Sequence, residues 1–145
     1  MAEPTIVTCP NCGKRNRLGV SATGVPRCAV CHTALPWIVT ADAASFDVHL
    51  AAAVPVLVDF WAPWCGPCRA VTPVVEAFAR EHAAELKLVE LNVDEVPEIA
   101  ARYGVQDIPL LVVHRDGREL DRLVGAASPA HIRGWAEQHL ATAAA

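Results

Sequence analysis

Six cysteines carry most of the chemistry this chain could perform, and all six fall in Cys-x-x-Cys pairs: Cys9/Cys12, Cys28/Cys31 and Cys65/Cys68. Paired thiols at this spacing hold a metal or exchange electrons, and the surroundings of each pair separate the two. The first two pairs are 15 residues apart in a stretch rich in Gly, Pro, Asn and basic residues. That matches the four-thiolate pattern of a structural zinc site, with Gly13 just after the first pair to make the turn. Four sulfur ligands close a tetrahedral site and leave no position for catalysis. One structural zinc ion on Cys9, Cys12, Cys28 and Cys31 is therefore expected. Two other readings stay open. Cys28-Ala-Val-Cys31-His32 fits the c-type haem attachment pattern, which would need export and would strand Cys9 and Cys12. The four thiols could also form disulfides.

The third pair, in Trp64-Cys65-Gly66-Pro67-Cys68, follows an apolar run at 54–61 and opens a helical pattern with Pro67 in its first turn. A helix N-terminus offers free N–H groups and partial positive charge, both of which favour a thiolate. The Cys65 pKa should fall below that of free cysteine, with Cys68 one turn on as resolving thiol. A zinc pair or two inert buried cysteines are the alternatives. The only charge in the 54–61 run is Asp59, six residues before Cys65, and burial should raise its pKa.

The elements that position these groups begin near Trp37. Strands are expected at 36–39, 54–61, 86–93, 108–114 and 119–124, with Asp116-Gly117 as a hairpin turn. Helices are expected after Asp42 as cap, after Gly66-Pro67, at 96–103 up to Gly104, and after Ser128-Pro129. Val71, Val74, Val75 and Phe78 should line the buried side of the second helix, and Pro73 lies inside it. The order β α β α β α β β α gives an α/β fold, a mixed sheet with helices on both faces. The segment before it, with few large apolar residues (Ile6, Val7, Leu18, Val20, Val25 and Val30), holds too little to build a core, so metal must supply its folding energy. The expected division is 1–34 as a zinc-ribbon-like unit and 35–145 as the main domain.

Over roughly 36–140 the chain resembles the thioredoxin family. The resemblance rests on Val58-Asp-Phe-Trp-Ala-Pro-Trp-Cys-Gly-Pro-Cys68, Asn92-Val93-Asp94, Tyr103-Gly104-Val105 and Ile108-Pro109, in order and spacing. With the preceding cysteine pairs, the whole chain is similar to the bacterial members with an N-terminal zinc-binding extension. It implies a protein-disulfide reductase with Cys65 as nucleophile and Cys68 as resolving cysteine, no bound organic cofactor, and an NADPH-dependent thioredoxin reductase as partner. It also implies Asp59 as proton relay, Pro109 as the cis-proline of the substrate loop, and Trp64, Gly66, Pro67, Ile108, Gly125 and Ala126 as substrate contacts. The Gly-Pro spacer resembles that of reducing members more than the spacers of oxidases or isomerases of this fold. One departure is Glu90, where family members often carry a lysine near the aspartate. Arg69 stands where many relatives have lysine.

Composition narrows the partners. The chain has 145 residues, 53% of them hydrophobic, and a net charge of −4, which disfavours nucleic acid and anionic lipid. The basic residues Lys14, Arg15, Arg17 and Arg27 are a thin footprint for a zinc-knuckle binding module, the reading from another functional class. The first four residues have no signal-peptide character, and no apolar run is long enough to span a membrane. A monomer in the cytoplasm, acting on disulfide-containing proteins, is expected. His49, His82, His114, His131 and His139 show no ligand spacing and are read as surface or packing residues.

Overall fold

The computed structural model describes residues 5–19 and 23–144. Val20 and the first four residues lie outside the described residues, as does residue 145 of the alanine tail. The elements run β1 (Thr5–Thr8), β2 (Arg15–Leu18), β3 (Ile38–Thr40), α1 (Phe46–Leu50), β4 (Val56–Trp61), α2 (Gly66–Glu81), β5 (Lys87–Asn92), α3 (Pro97–Arg102), β6 (Leu110–Arg115), β7 (Arg118–Val124) and α4 (Pro129–Ala144). The hairpin β1–β2 has no counterpart among the expected elements. Its strands are four residues each and alternate poorly in the sequence, because the partners they bury against are cysteines and the main core.

β3, β5, β4, β6 and β7 form one sheet in that order. β3–β5 and β4–β5 are parallel, whereas β4–β6 and β6–β7 are antiparallel. β4 thus lies in the middle with both faces covered, which explains its continuous apolar run. Val56, Val58 and Phe60 face the layer holding Phe46 and Ile99 of α1 and α3. Leu57 faces the layer built by Val71, Val75 and Phe78 of α2 and Ile132 of α4. Because side chains alternate along a strand, Asp59 points the way Leu57 does, toward α2. By the same rule Glu90 follows Leu88 of β5, and Asp59 and Glu90 are register partners.

Several expected boundaries shift for local reasons. Asp42 caps the turn that leads into α1: its Oδ1 accepts from the Ser45 N–H at 2.8 Å, Ser45 Oγ accepts from the Asp42 N–H, and the Phe46 N–H bonds the Asp42 carbonyl, so the regular helix begins only at Phe46. The strand expected at 36–39 starts at Ile38, and Pro109 stays outside β6 because it cannot donate to the ladder. Val74 is half-buried rather than part of the buried stripe of α2. Gly104 ends α3 with φ +62°, and Asp116 and Gly117 turn the β6–β7 hairpin with φ +54° and +77°.

The N-terminal segment shares the main core. Cys9, Leu18 and Cys28 are buried in the same cluster as Leu35, Trp37 and Phe60. The Ala53 N–H donates to the Thr23 carbonyl at 2.8 Å, fixing the segment beside the loop that leads into β4. That loop and Cys65 lie at opposite ends of β4, about 20 Å of strand apart. No helix among the described residues is long and apolar enough to cross a membrane.

Candidate functional site

Cys65 ends the chain's exit from β4 and serves as the N-cap of α2, with Pro67 in the first turn. It is joined by a disulfide to Cys68, Cα to Cα 5.3 Å. The Cys68 N–H donates to Cys65 Sγ at 3.2 Å, so the sulfur takes up one of the free donors of the helix start. Both sulfurs sit in a small buried cluster with Ala62, edged by Trp61, Val93 and Ile108. The peptide bond Ile108–Pro109 is cis, and the Ile108 carbonyl oxygen lies 3.8 Å from Cys65 Sγ. Gly125, with φ +84°, donates its N–H to the Pro109 carbonyl at 2.8 Å, tying the start of the α4 connection to the same loop.

Around the disulfide, Trp64 is 68% exposed. Its indole Nε1 donates to Asp94 Oδ2 at 2.9 Å, which holds the ring beside the cysteines. Gly66, Pro67 and Ala126 are exposed, Ile108 and Gly125 half-buried, and Pro109 buried. An apolar, mostly accessible rim with an open carbonyl at Ile108 suits an extended peptide laid across the disulfide. The Arg69 guanidinium donates to the Pro63 carbonyl at 3.0 Å.

Asp59 lies beneath this surface, fully buried. Burial, then the negative charge of Glu76, pushes its carboxyl up to about 6, against the opposing pull of Thr72. Thr72 Oγ1 donates to Asp59 Oδ2 at 2.7 Å, and Oδ1 has no partner among the described residues. Sequence reading found Asp59 as a lone charge in an apolar strand but missed Thr72, Glu76 and Asp94. The first two were detectable by spacing, since Cys68, Thr72 and Glu76 recur every four residues on one face of α2.

The four remaining cysteines converge although no element is long there. The sulfurs of Cys9, Cys12, Cys28 and Cys31 all lie within 4.8 Å of one another. Cys9–Cys31 and Cys12–Cys28 are each 3.5 Å apart. A tetrahedral ion with about 2.3 Å bonds to sulfur separates its ligands by about 3.8 Å, so the cluster could hold one. Two matching loops build it. Cys9 N–H bonds the Lys14 carbonyl and Gly13 N–H the Cys9 carbonyl; Cys28 N–H bonds the Thr33 carbonyl and His32 N–H the Cys28 carbonyl. N–H groups of Asn11 and Cys12 point at Cys9 Sγ, and that of Val30 at Cys28 Sγ, as thiolates require. Gly13 (φ +79°) and His32 (φ +64°) occupy the same left-handed position in the two loops. Thr33 Oγ1 lies 3.2 Å from Cys31 Sγ, and that hydroxyl, then the Asn11 side chain, pulls the Cys31 thiol down to about 5.

Comparison with known proteins agrees with this arrangement over most of the chain. The sequence model of the thioredoxin family matches residues 37–138, which leaves the four clustered cysteines outside it. Thioredoxin 1 of Synechococcus elongatus is 45% identical over 99 residues, 68% of this chain and 92% of its own length. Thioredoxin 1 of Nostoc is 47% identical over 87 residues, 60% of this chain and 81% of its own. The M-type chloroplastic thioredoxin of Chlamydomonas reinhardtii is 47% identical over 94 residues, 65% and 67% of the two chains. With Cys65 and Cys68 paired at the start of a helix on this fold, the chain belongs to the thioredoxin family and is a thiol–disulfide oxidoreductase.

Proposed function

We propose that the protein is a protein-disulfide reductase of the thioredoxin 2 type, recharged by an NADPH-dependent thioredoxin reductase. The observation that carries the reading is the Cys65–Cys68 disulfide at the N-terminus of α2, with buried Asp59 behind it and the Ile108 carbonyl beside it. In the reduced protein the Cys65 thiolate is favoured by the Cys68 N–H and the helix start. It attacks one sulfur of a substrate disulfide; that S–S bond breaks, and a mixed disulfide to Cys65 forms. Cys68 then gives its proton to Asp59 and attacks Cys65 Sγ. The mixed disulfide breaks, the Cys65–Cys68 bond forms, and the substrate leaves with two more electrons and, after protonation, two thiols. Trp64, Gly66, Pro67, Ile108, Gly125 and Ala126 hold the substrate segment, and Pro109 keeps the Ile108 backbone open to it.

Residues 1–34 are read as a zinc-binding unit and 35–145 as the catalytic domain. Cys9, Cys12, Cys28 and Cys31 would hold one zinc ion, which when bound supplies a cross-link and no open coordination position. That unit packs at the end of β4 away from Cys65, which supports a structural role. NADPH- and thioredoxin-reductase-coupled reduction of insulin tests the reading. Wild-type protein should turn over and Cys65→Ser should not. A folded but inactive wild type would refute it.

A further inference from the structure

One seam of the molecule gathers more carboxyl groups than the reaction above uses. The four-residue spacing on α2 stacks Cys68, Thr72 and Glu76, and strand alternation turns Asp59 and Glu90 toward them from β4 and β5. A cleft of about 370 Å³ opens here, and Cys68, Thr72, Glu76 and Glu90 all line it. Asp59 lies behind it with one unpartnered oxygen, reached through Thr72. Glu76 of α2 and Glu90 of β5 line this cleft together, one carboxyl from each element.

The charges facing Glu90 favour its protonated form. α2 presents Glu76 and Arg80, β4 presents Asp59, and β3 contributes only the uncharged Thr40. Burial, then the neighbouring Glu76 carboxyl and the charge of Asp59, push Glu90 up to about 8, and Arg80 opposes them least strongly. This chain therefore places a carboxyl that favours its protonated form in the same cleft as the resolving cysteine.

We propose that Glu90, set beside Glu76 in this cleft and acting through Asp59, forms the proton store of Cys68. The proposal rests on the reductase reading above. When one thiolate of an incoming dithiol attacks Cys65 Sγ, the Cys65–Cys68 bond breaks, a mixed disulfide to Cys65 forms and Cys68 leaves as a thiolate; the second thiol of the dithiol then displaces Cys65 and closes the dithiol's own disulfide. Asp59 hands that thiolate a proton, Glu90 replaces it on Asp59, and solvent at the cleft refills Glu90. In substrate reduction the proton from Cys68 runs the opposite way. Glu90 and Glu76 are positioning groups, since neither touches sulfur.

The test opens the disulfide of the full-length oxidised protein with dithiothreitol across pH, followed by tryptophan fluorescence, in wild type, Glu90→Gln and Glu76→Gln. Ratios to wild type cancel the ionisation of dithiothreitol itself. The Glu90→Gln rate should fall about tenfold near neutral pH, below the 10²–10⁴ range of a direct general acid because Asp59 remains. The deficit should vanish at high pH, where the wild-type store is empty. Glu76→Gln should lower the pH at which the store empties. The ¹³C titration of the Glu90 carboxyl in folded wild type checks this without any variant. A Glu90 that titrates in the ordinary glutamate range, or a Glu90→Gln ratio constant across pH, overturns the proposal. Failure of the reductase reading would show instead as an inactive wild type in the insulin assay.

Discussion

Asp59→Asn should stabilise the oxidised protein, and more so at pH 7 than at pH 4.5. Asp59 titrates near 6 in the fold against an ordinary value of 3.8, so the unfolded chain gives up this proton more readily. For a carboxyl raised in the fold, the penalty is absent below the unfolded value and complete above the folded one. Stability contributed by this site thus falls as pH rises between about 4 and 6. At 1.36 kcal/mol per pKa unit, the penalty is about 3 kcal/mol at pH 7 and about 1 kcal/mol at pH 4.5. Asparagine keeps the shape and an acceptor for Thr72, but its buried amide costs about 1–2 kcal/mol. A net gain of about 1–2 kcal/mol at pH 7 and no gain at pH 4.5 follows. Urea unfolding of both proteins at the two pH values measures it. An identical difference at both pH values would refute the reasoning, because only ionisation of Asp59 makes it depend on pH.

Three further outcomes follow from other parts of the molecule. Cys9→Ser should abolish stoichiometric zinc and lower the thermal midpoint, while insulin reduction by the folded fraction persists; equal loss of activity and metal would contradict the separation of the two sites. His32→Gly should stabilise the zinc-loaded form by about 0.5–1 kcal/mol in urea unfolding, because glycine accepts the +64° φ that histidine holds under strain. Tyr103→Phe removes the 2.6 Å bond between Tyr103 Oη and His114 Nε2 and leaves both nitrogens of a buried histidine unpartnered. It should cost about 1–3 kcal/mol by the same measurement.

The parts that were legible in the sequence are those where one local rule settles the matter. The run around Asp59 is apolar at every other position because β4 is covered on both faces, and that made the aspartate conspicuous. Trp64 to Cys68 combines a strand exit, a proline and two thiols, so its place at a helix start followed from the residues alone. The hairpin β1–β2 was not legible. Its strands are short, and much of the core it joins, Cys28, Leu35 and Trp37 among it, belongs to other parts of the chain. Asp42 located the start of α1 only to within a turn, since a capping residue and a turn residue carry the same side chain. His32 shows the limit of composition. The left-handed position is announced by glycine in the first loop and hidden by histidine in the second. Glu90 was seen as a departure, but its partner Glu76 needed the packing of α2 on β5 to come into view.

The account's central claim is that Cys65 attacks and Cys68 resolves. Cys68→Ser should trap a covalent mixed disulfide with a disulfide-containing protein such as insulin, linked through Cys65 and released by dithiothreitol. Cys65→Ser should trap none. An adduct that forms through Cys68, or no adduct from a folded Cys68→Ser protein, would contradict the assignment.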